Sequence, residues 1–111
     1  MGSFYRILIL CDPNKKIQID DILGKSTGDP KIGWSLIIDE DSPKFSNALE
    51  FFIDLIINNL DRLNEIGISI DRITFWYLYE YEQECNMAFY PGITKRLGDL
   101  GVTLCISCWQ K

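Results

Sequence analysis

The sequence contains no histidine. Histidine is the side chain whose ordinary pKa lies nearest neutral pH, and it is the usual base that activates a serine or cysteine nucleophile. Its absence removes Ser-His and Cys-His catalysis, and it removes the imidazole ligands that many metal sites use. Carboxylates, lysine and tyrosine remain as possible general bases. Because the commonest one is missing, we expect a protein that binds a partner without catalysing a reaction.

Cysteines are few, and the four present do not match a metal or disulfide pattern. Cys105 and Cys108 have C-x-x-C spacing, but they lie in a strand pattern, where residues three apart point to opposite faces. Cys11 and Cys85 are isolated, so no second pair completes a zinc site. We therefore predict free thiols, no metal and no cofactor, as in a reducing cytosol.

Long hydrophobic runs are also absent. Uncharged apolar runs, such as Leu55–Leu60, are far shorter than the roughly 20 residues that a helix needs to cross a bilayer. The start of the sequence lacks the charged region, apolar run and small-residue cleavage site of a signal peptide. We expect a cytoplasmic protein that does not bind membranes.

Composition and charge indicate one globular domain with an acidic middle. The 111 residues are 47% hydrophobic and 24% charged, enough to build a single core over 1–111. The net charge is −5, but 11 acidic residues and only 3 basic residues lie between Ile37 and Glu84, and the rest is net positive. An acidic middle disfavours nucleic acid and favours a cationic partner.

The chain is organised around one amphipathic stretch, Phe45–Gly67. Its apolar residues recur at three- and four-residue spacing, which predicts one long helix with a broad apolar face. Ser42 provides an N-cap hydroxyl, Pro43 suits the first helical position, and Gly67 suits a left-handed end. A helix of this length and apolarity requires a sheet to cover.

The rest of the sequence provides that sheet. The patterns predict strands at Phe4–Cys11, Trp34–Asp39, Ile70–Tyr81, Cys85–Tyr90 and Val102–Trp109, shorter helices at Ile17–Leu23 and Pro91–Leu100, a turn at Asp12–Lys15 and a hairpin at Glu82–Glu84. The order β-α-β-α-β-β-α-β predicts an α+β fold, a two-layer sandwich of five strands with helices on one face.

The other face of that sheet is expected to stay partly open. In Ile70–Tyr81 the residues alternate, so that Trp76 and Glu80 share a face and Tyr79 lies on the opposite one. Candidates for the open face are Thr74, Trp76, Thr103, Ser107 and Trp109.

The acidic residues that flank two predicted strands are the candidate partner-binding site. We predict that a basic partner contacts Asp39, Glu40, Asp41, Glu80, Glu82 and Glu84, with Trp76 or Tyr79 as an aromatic anchor. Glu80, Glu82 and Glu84 could instead form an acid/base pair or a site for a hard metal ion.

Several structural motifs together resemble a known family. They are the helix end Ile22-Leu23-Gly24, the strand that opens at Trp34, and the helix end Leu97-Gly98-Asp99-Leu100-Gly101 before the last strand. Their order resembles a bacterial domain family of unassigned function, whose stand-alone members are similar to immunity proteins encoded beside toxins, including those of contact-dependent growth inhibition. The resemblance implies an antitoxin that binds a cognate toxin, and it carries over no functional residue.

Three functions are compatible with these features. The first is an immunity protein whose acidic surface occludes a basic nuclease toxin, because many such toxins carry a phosphate-binding cleft. The second is a small-molecule-binding or regulatory domain that uses the open sheet face. The third is an enzyme that uses carboxylates alone.

Overall fold

In a computed structural model that describes residues 2–27, 33–83 and 86–110, the chain has an α+β fold, as predicted. The strands are β1 (Phe4–Ile9), β2 (Trp34–Asp39), β3 (Ile73–Tyr81) and β4 (Thr103–Gln110). The α-helices are α1 (Pro13–Leu23), α2 (Ala48–Ile57), α3 (Leu60–Glu65) and α4 (Pro91–Leu100), and single 3-10 turns span Phe45–Asn47 and Ile70–Arg72.

The four strands form one mixed sheet in the order β2-β1-β3-β4. β1 is antiparallel to both of its neighbours, whereas β4 is parallel to β3. The parallel pair follows from α4, because a strand can return in the same direction only through a crossover, usually a helix. β2 and β4 are therefore the two edge strands.

The core lies on one side of this sheet. Ile7, Ile9, Trp34 and Phe75 are fully buried, and they belong to one cluster with Phe52 and other residues of α2. The sheet residues of the core all share one face, which we call the helix side: Tyr5, Ile7, Ile9, Trp34, Leu36, Ile38, Ile73, Phe75 and Leu104.

The opposite face contributes nothing to the core, and we call it the open face. Its central residues are Phe4, Arg6, Leu8, Ile37, Thr74, Trp76, Leu78, Glu80, Thr103, Cys105, Ser107 and Trp109. All five residues predicted for an open face are among them. Cys105 lies here and Cys108 lies on the helix side, so the two sulfurs of the C-x-x-C motif diverge as predicted.

The prediction of five strands is wrong. Residues 86–90 of the predicted strand Cys85–Tyr90 form no strand, and Phe89 packs against the core from irregular backbone instead. Phe89 therefore contributes to burial without strand pairing, whereas Tyr90 is exposed. Glu84 and Cys85 lie outside the described residues, so the predicted hairpin at Glu82–Glu84 is described only at its start.

The prediction of one helix over Phe45–Gly67 is also wrong. α2 ends at Ile57 and α3 begins at Leu60, because Asn59 leaves the helical conformation, with φ −124°. The Asn59 side chain donates to the carbonyl of Leu55 at 2.8 Å, which satisfies a carbonyl at the helix end. Gly67 has φ +87°, the left-handed conformation that was predicted there.

Smaller differences concern element starts. Ser42 does not cap α2: its hydroxyl accepts from the Lys44 N–H at 3.2 Å, and a 3-10 turn intervenes before the helix. The predicted turn at Asp12–Lys15 is wrong, because α1 begins at Pro13, whose fixed φ suits a first helical position. α4 has the predicted bounds.

No helix among the described residues combines the length and apolarity that a membrane span requires.

Candidate functional site

The strand register brings two acidic segments to one end of the sheet. β2 and β3 both run antiparallel to β1, so both finish beside its first residue, and Phe4 pairs with Asp39 on one side and Leu78 on the other. Adjacent strands lie about 4.8 Å apart, which separates the β2 and β3 backbones by about 10 Å. We call this region the acidic end; its residues are Asp39, Glu40, Asp41, Glu80 and Glu82.

Local hydrogen bonds hold the β2 part of the acidic end. The Asp41 N–H donates to Asp39 Oδ1 at 3.1 Å, and the Ser42 N–H donates to the Asp39 carbonyl at 3.0 Å. This Asx-type turn keeps three consecutive exposed carboxylates at the strand end. The Glu40 side chain lies against Gly2, because a Cβ added to Gly2 would overlap the Glu40 carboxylate. Glu40 therefore reaches across the start of β1.

Glu80 is fixed from two sides. Trp109 Nε1 donates to Glu80 Oε2 at 3.2 Å, and the Glu80 N–H donates to the Oγ of the buried Ser3, also at 3.2 Å. Glu82 is exposed, and its carbonyl accepts from Gln110 Nε2 at 3.3 Å. The Glu80 carboxylate is thus tied to β4 through Trp109, and Glu82, one residue beyond the end of β3, is tied to β4 through its backbone carbonyl.

Among the described residues, four carboxylates of the acidic end carry their charge without an ion pair. The ion pairs between described residues are Lys95–Asp99, at 2.7 Å, and Arg96–Asp54, at 2.5 Å. Within the described part of the chain, Asp39, Glu40, Asp41 and Glu80 form no ion pair. Because the strand ends lie within about one Debye length at physiological salt, their negative potentials add.

Trp76 lies on the open face beside β1. Its Nε1 donates to Thr74 Oγ1 at 2.9 Å, and the guanidinium of Arg6 stands 5.2 Å from its ring centroid, a cation–π contact. Arg6 Nε is buried and has no hydrogen-bond partner among the described residues. Arg6 therefore occupies the middle of a half-buried apolar face, between Phe4 and Leu8 on the same strand.

Tyr79 lies on the other side of the sheet, within a row of aromatic rings. Tyr5 and Tyr77 stack with centroids 4.4 Å apart, and Tyr79 follows at 5.5 Å from Tyr77 and 6.5 Å from Tyr81. Trp76 and Tyr79 therefore cannot both contact one flat partner. Glu80 shares a face with Trp76 and not with Tyr79. Trp76 is therefore the candidate aromatic anchor on the same face as the Glu80 carboxylate.

Burial raises the pKa of two phenols in this row. The pKa of Tyr5 is raised from 10.0 to about 12, mainly by burial and also by Tyr77 and Glu50. The pKa of Tyr77 is raised by burial first and then by Tyr79, while a hydrogen bond with Ser3 opposes the rise and nearby Glu40 adds to it. Tyr5 and Tyr77 are therefore uncharged near neutral pH, and neither adds to the negative potential of the carboxylates.

The predicted site residues thus divide into three groups. The structure gathers five carboxylates at one end of the sheet and places Trp76 on the adjoining open face. It separates Tyr79 from them, and Glu84 lies outside the described residues. Among the described residues, no three cysteine or carboxylate side chains converge as a group that could hold a metal ion.

The sequence reasoning missed two features. Arg6 was not predicted as a site residue, although it alternates with Phe4 and Leu8, which is the signal for a charge on an apolar sheet face. The packing of Tyr5 against Tyr77 depends on the pairing of β1 with β3, and no local pattern shows that pairing.

Comparisons with known proteins do not extend this picture. No protein-family model matches the sequence, and searches of curated proteins and of solved structures give no significant match. The resemblance to immunity proteins stays a prediction.

Proposed function

We propose that this chain is a cytoplasmic immunity protein that binds one bacterial toxin and neutralises it by covering its active site with the acidic end. The observation that carries the proposal is the strand register, which places Asp39–Asp41 beside Glu80 and Glu82. The charge distribution supports it, because these carboxylates lie in the acidic middle of the sequence and four of them form no ion pair with another described residue.

The expected partner is a basic nuclease domain. Such a domain binds phosphates through lysine and arginine side chains, and carboxylates form strong charge-assisted hydrogen bonds with the same groups. The acidic end would then occupy the positions of substrate phosphates. Opposite charges would also accelerate the encounter, which suits an inhibitor that must act before its target does damage.

The open face supplies the apolar part of the proposed interface. Trp76, Phe4 and Leu78 are half-buried beside the acidic end, and Trp109 joins the two regions through its bond to Glu80. Protein interfaces combine aromatic anchors with a polar rim in this way. The proposed protein binds without chemistry of its own, so its work is to present a fixed surface.

Charge reversal at the acidic end tests this function. We expect the double variant Glu80→Lys/Glu82→Lys to lose affinity for the toxin domain encoded by the adjacent upstream gene by about tenfold or more, since close charge pairs at interfaces contribute about 1.5 kcal/mol or more. Titration calorimetry at low and moderate salt measures the loss, and co-expression with the toxin measures protection of growth.

The matched control is Asp61→Lys/Glu65→Lys, which makes the same charge change on exposed positions of α3. The control should bind and protect like the parent chain. Equal affinity and equal salt dependence for both double variants would show that the acidic end is not the interface, and lack of any binding to the neighbouring gene product would remove the immunity function.

A further inference from the structure

The two edges of the sheet are protected very differently. Along β2, the Ser26 hydroxyl bonds with both backbone groups of Ser35, the Thr27 N–H donates to the Ser35 carbonyl at 2.8 Å, and Thr27 Oγ1 accepts from the Ile37 N–H at 2.9 Å. The segment before β2 thus satisfies much of the outer edge of that strand.

Among the described residues, nothing comparable covers the outer edge of β4 at 103–107. No hydrogen bond from the described chain, apart from the ladder with β3, reaches the backbone of 103–107. The strand Thr103–Gln110 also contains no charged residue, proline or glycine, which are the usual devices that prevent edge-to-edge pairing. Ile106, near its middle, is 44% exposed.

We propose that β4 is a self-association edge, at which two copies of this chain pair their β4 strands antiparallel about a two-fold axis. An exposed strand edge presents a row of unpaired N–H and C=O groups, and another strand is the partner that satisfies them all. The product is a continuous eight-stranded sheet in which each open face continues into that of the other copy.

The charge distribution is compatible with a second copy in antiparallel orientation. Each chain carries a net charge of −5, so most surfaces of two copies repel, but β4 itself brings no like charges into contact. The acidic end lies at the carboxyl end of β4, near Trp109. Antiparallel pairing sends the two acidic ends in opposite directions along a strand of about 27 Å, at about 3.4 Å per residue.

The two-fold arrangement gives Ile106 a central place. An axis perpendicular to the sheet keeps each face on its own side, so Ile106 meets apolar residues of the partner's helix side at or beside the axis. Strand pairing alone buries less area than a standard interface, so the dimer is expected to be weak and concentration-dependent.

Sedimentation velocity over a concentration series tests the dimer. The mass should rise from 12.8 kDa towards twice that value, and it should rise further when NaCl is increased, because salt screens the repulsion between copies. Ile106→Lys places like charges near the axis and should remain monomeric. Ile17→Lys, the same change at the 68% exposed Ile17 of α1, should dimerise like the parent chain.

Amide hydrogen exchange of the parent chain provides a second measurement that needs no variant. Outward N–H groups within 103–107 should exchange more slowly at high protein concentration, while amides of the Asp39–Asp41 turn should not change. The proposal is wrong if the parent chain is monomeric throughout, if the β4 amides show no concentration dependence, or if a folded Ile106→Lys variant dimerises as the parent does.

Discussion

Arg6 makes one favourable and one unfavourable contribution to stability. Its guanidinium gains about 0.5–1 kcal/mol from the Trp76 ring. Its buried Nε has no hydrogen-bond partner among the described residues, and an unsatisfied buried polar group costs about 1–3 kcal/mol. The unfavourable contribution is the larger one. A residue kept in this state is consistent with a binding face that gives Arg6 an acceptor only in a complex.

We therefore expect Arg6→Met to raise the free energy of unfolding by about 1 kcal/mol, because methionine keeps the packing on Trp76 and removes the unpaired N–H. Arg6→Ala should lower it, since the packing is lost as well. Urea denaturation measures both changes. A methionine variant less stable than the alanine variant would contradict this account of Arg6.

The raised pKa of Tyr5 leads to a prediction about alkaline stability. The folded state favours the protonated phenol, so this contribution to stability is complete below the unfolded pKa of 10.0 and is lost as the pH rises towards about 12. Tyr5→Phe cannot ionise, so its thermal midpoint should fall less steeply over that window. Tyr90→Phe, at a 74% exposed position, is the control and should follow the parent chain.

At the scale of elements, alanine substitutions of two glycines at the end of α4 should change the stability of the protein in opposite directions. Gly98 lies within α4 and Gly101 follows it with φ +82°, and an added Cβ meets no atom within 4 Å at either position. Gly98→Ala should stabilise the protein by about 0.5–1 kcal/mol, whereas Gly101→Ala should destabilise it by about 1 kcal/mol through left-handed backbone strain.

Thermal or urea unfolding of the two alanine variants checks this pair. Because neither substitution gains or loses a side-chain contact, the difference reports backbone conformation alone. Shifts of the same sign would mean that α4 does not end in the left-handed turn at Gly101.

Local patterns predicted the elements whose signals are local. Alternation along β3 assigned Trp76 and Tyr79 to opposite faces, and proline and glycine set the bounds of α4 correctly. The pattern failed at Asn58 and Asn59, because hydrophobic spacing continues across them while the Asn59 side chain competes for the helix carbonyls. The hydrophobic pattern also failed at residues 86–90, where Phe89 packs against the core without strand pairing.

At the scale of the whole molecule, the sequence did not reveal which strands pair with one another. The acidic composition of the middle was evident, but the gathering of Asp39 and Glu80 depends on β1 lying between β2 and β3, a contact between distant segments. The parallel position of β4 has the same origin. The candidate site was therefore predictable as a set of residues, and its geometry was not.

The two proposed surfaces are compatible in one assembly. The acidic end lies at the ends of the strands, and the self-association edge runs along the outer side of β4. A dimer would thus present two acidic ends at opposite corners of one sheet and could bind two basic partners. The salt responses of the two contacts should be opposite, since salt weakens attraction to a cationic partner and relieves repulsion between copies.

The parallel pairing of β3 with β4 has a consequence for how the molecule is made. β3 leaves the ribosome before α4 and β4, so until about 30 further residues have emerged its side facing β4 is an unpaired edge. Such an edge, with tyrosines at Tyr77, Tyr79 and Tyr81, is a site at which nascent chains can aggregate. Because the docking of β4 pairs this edge, we expect α4 and the final strand to fold last.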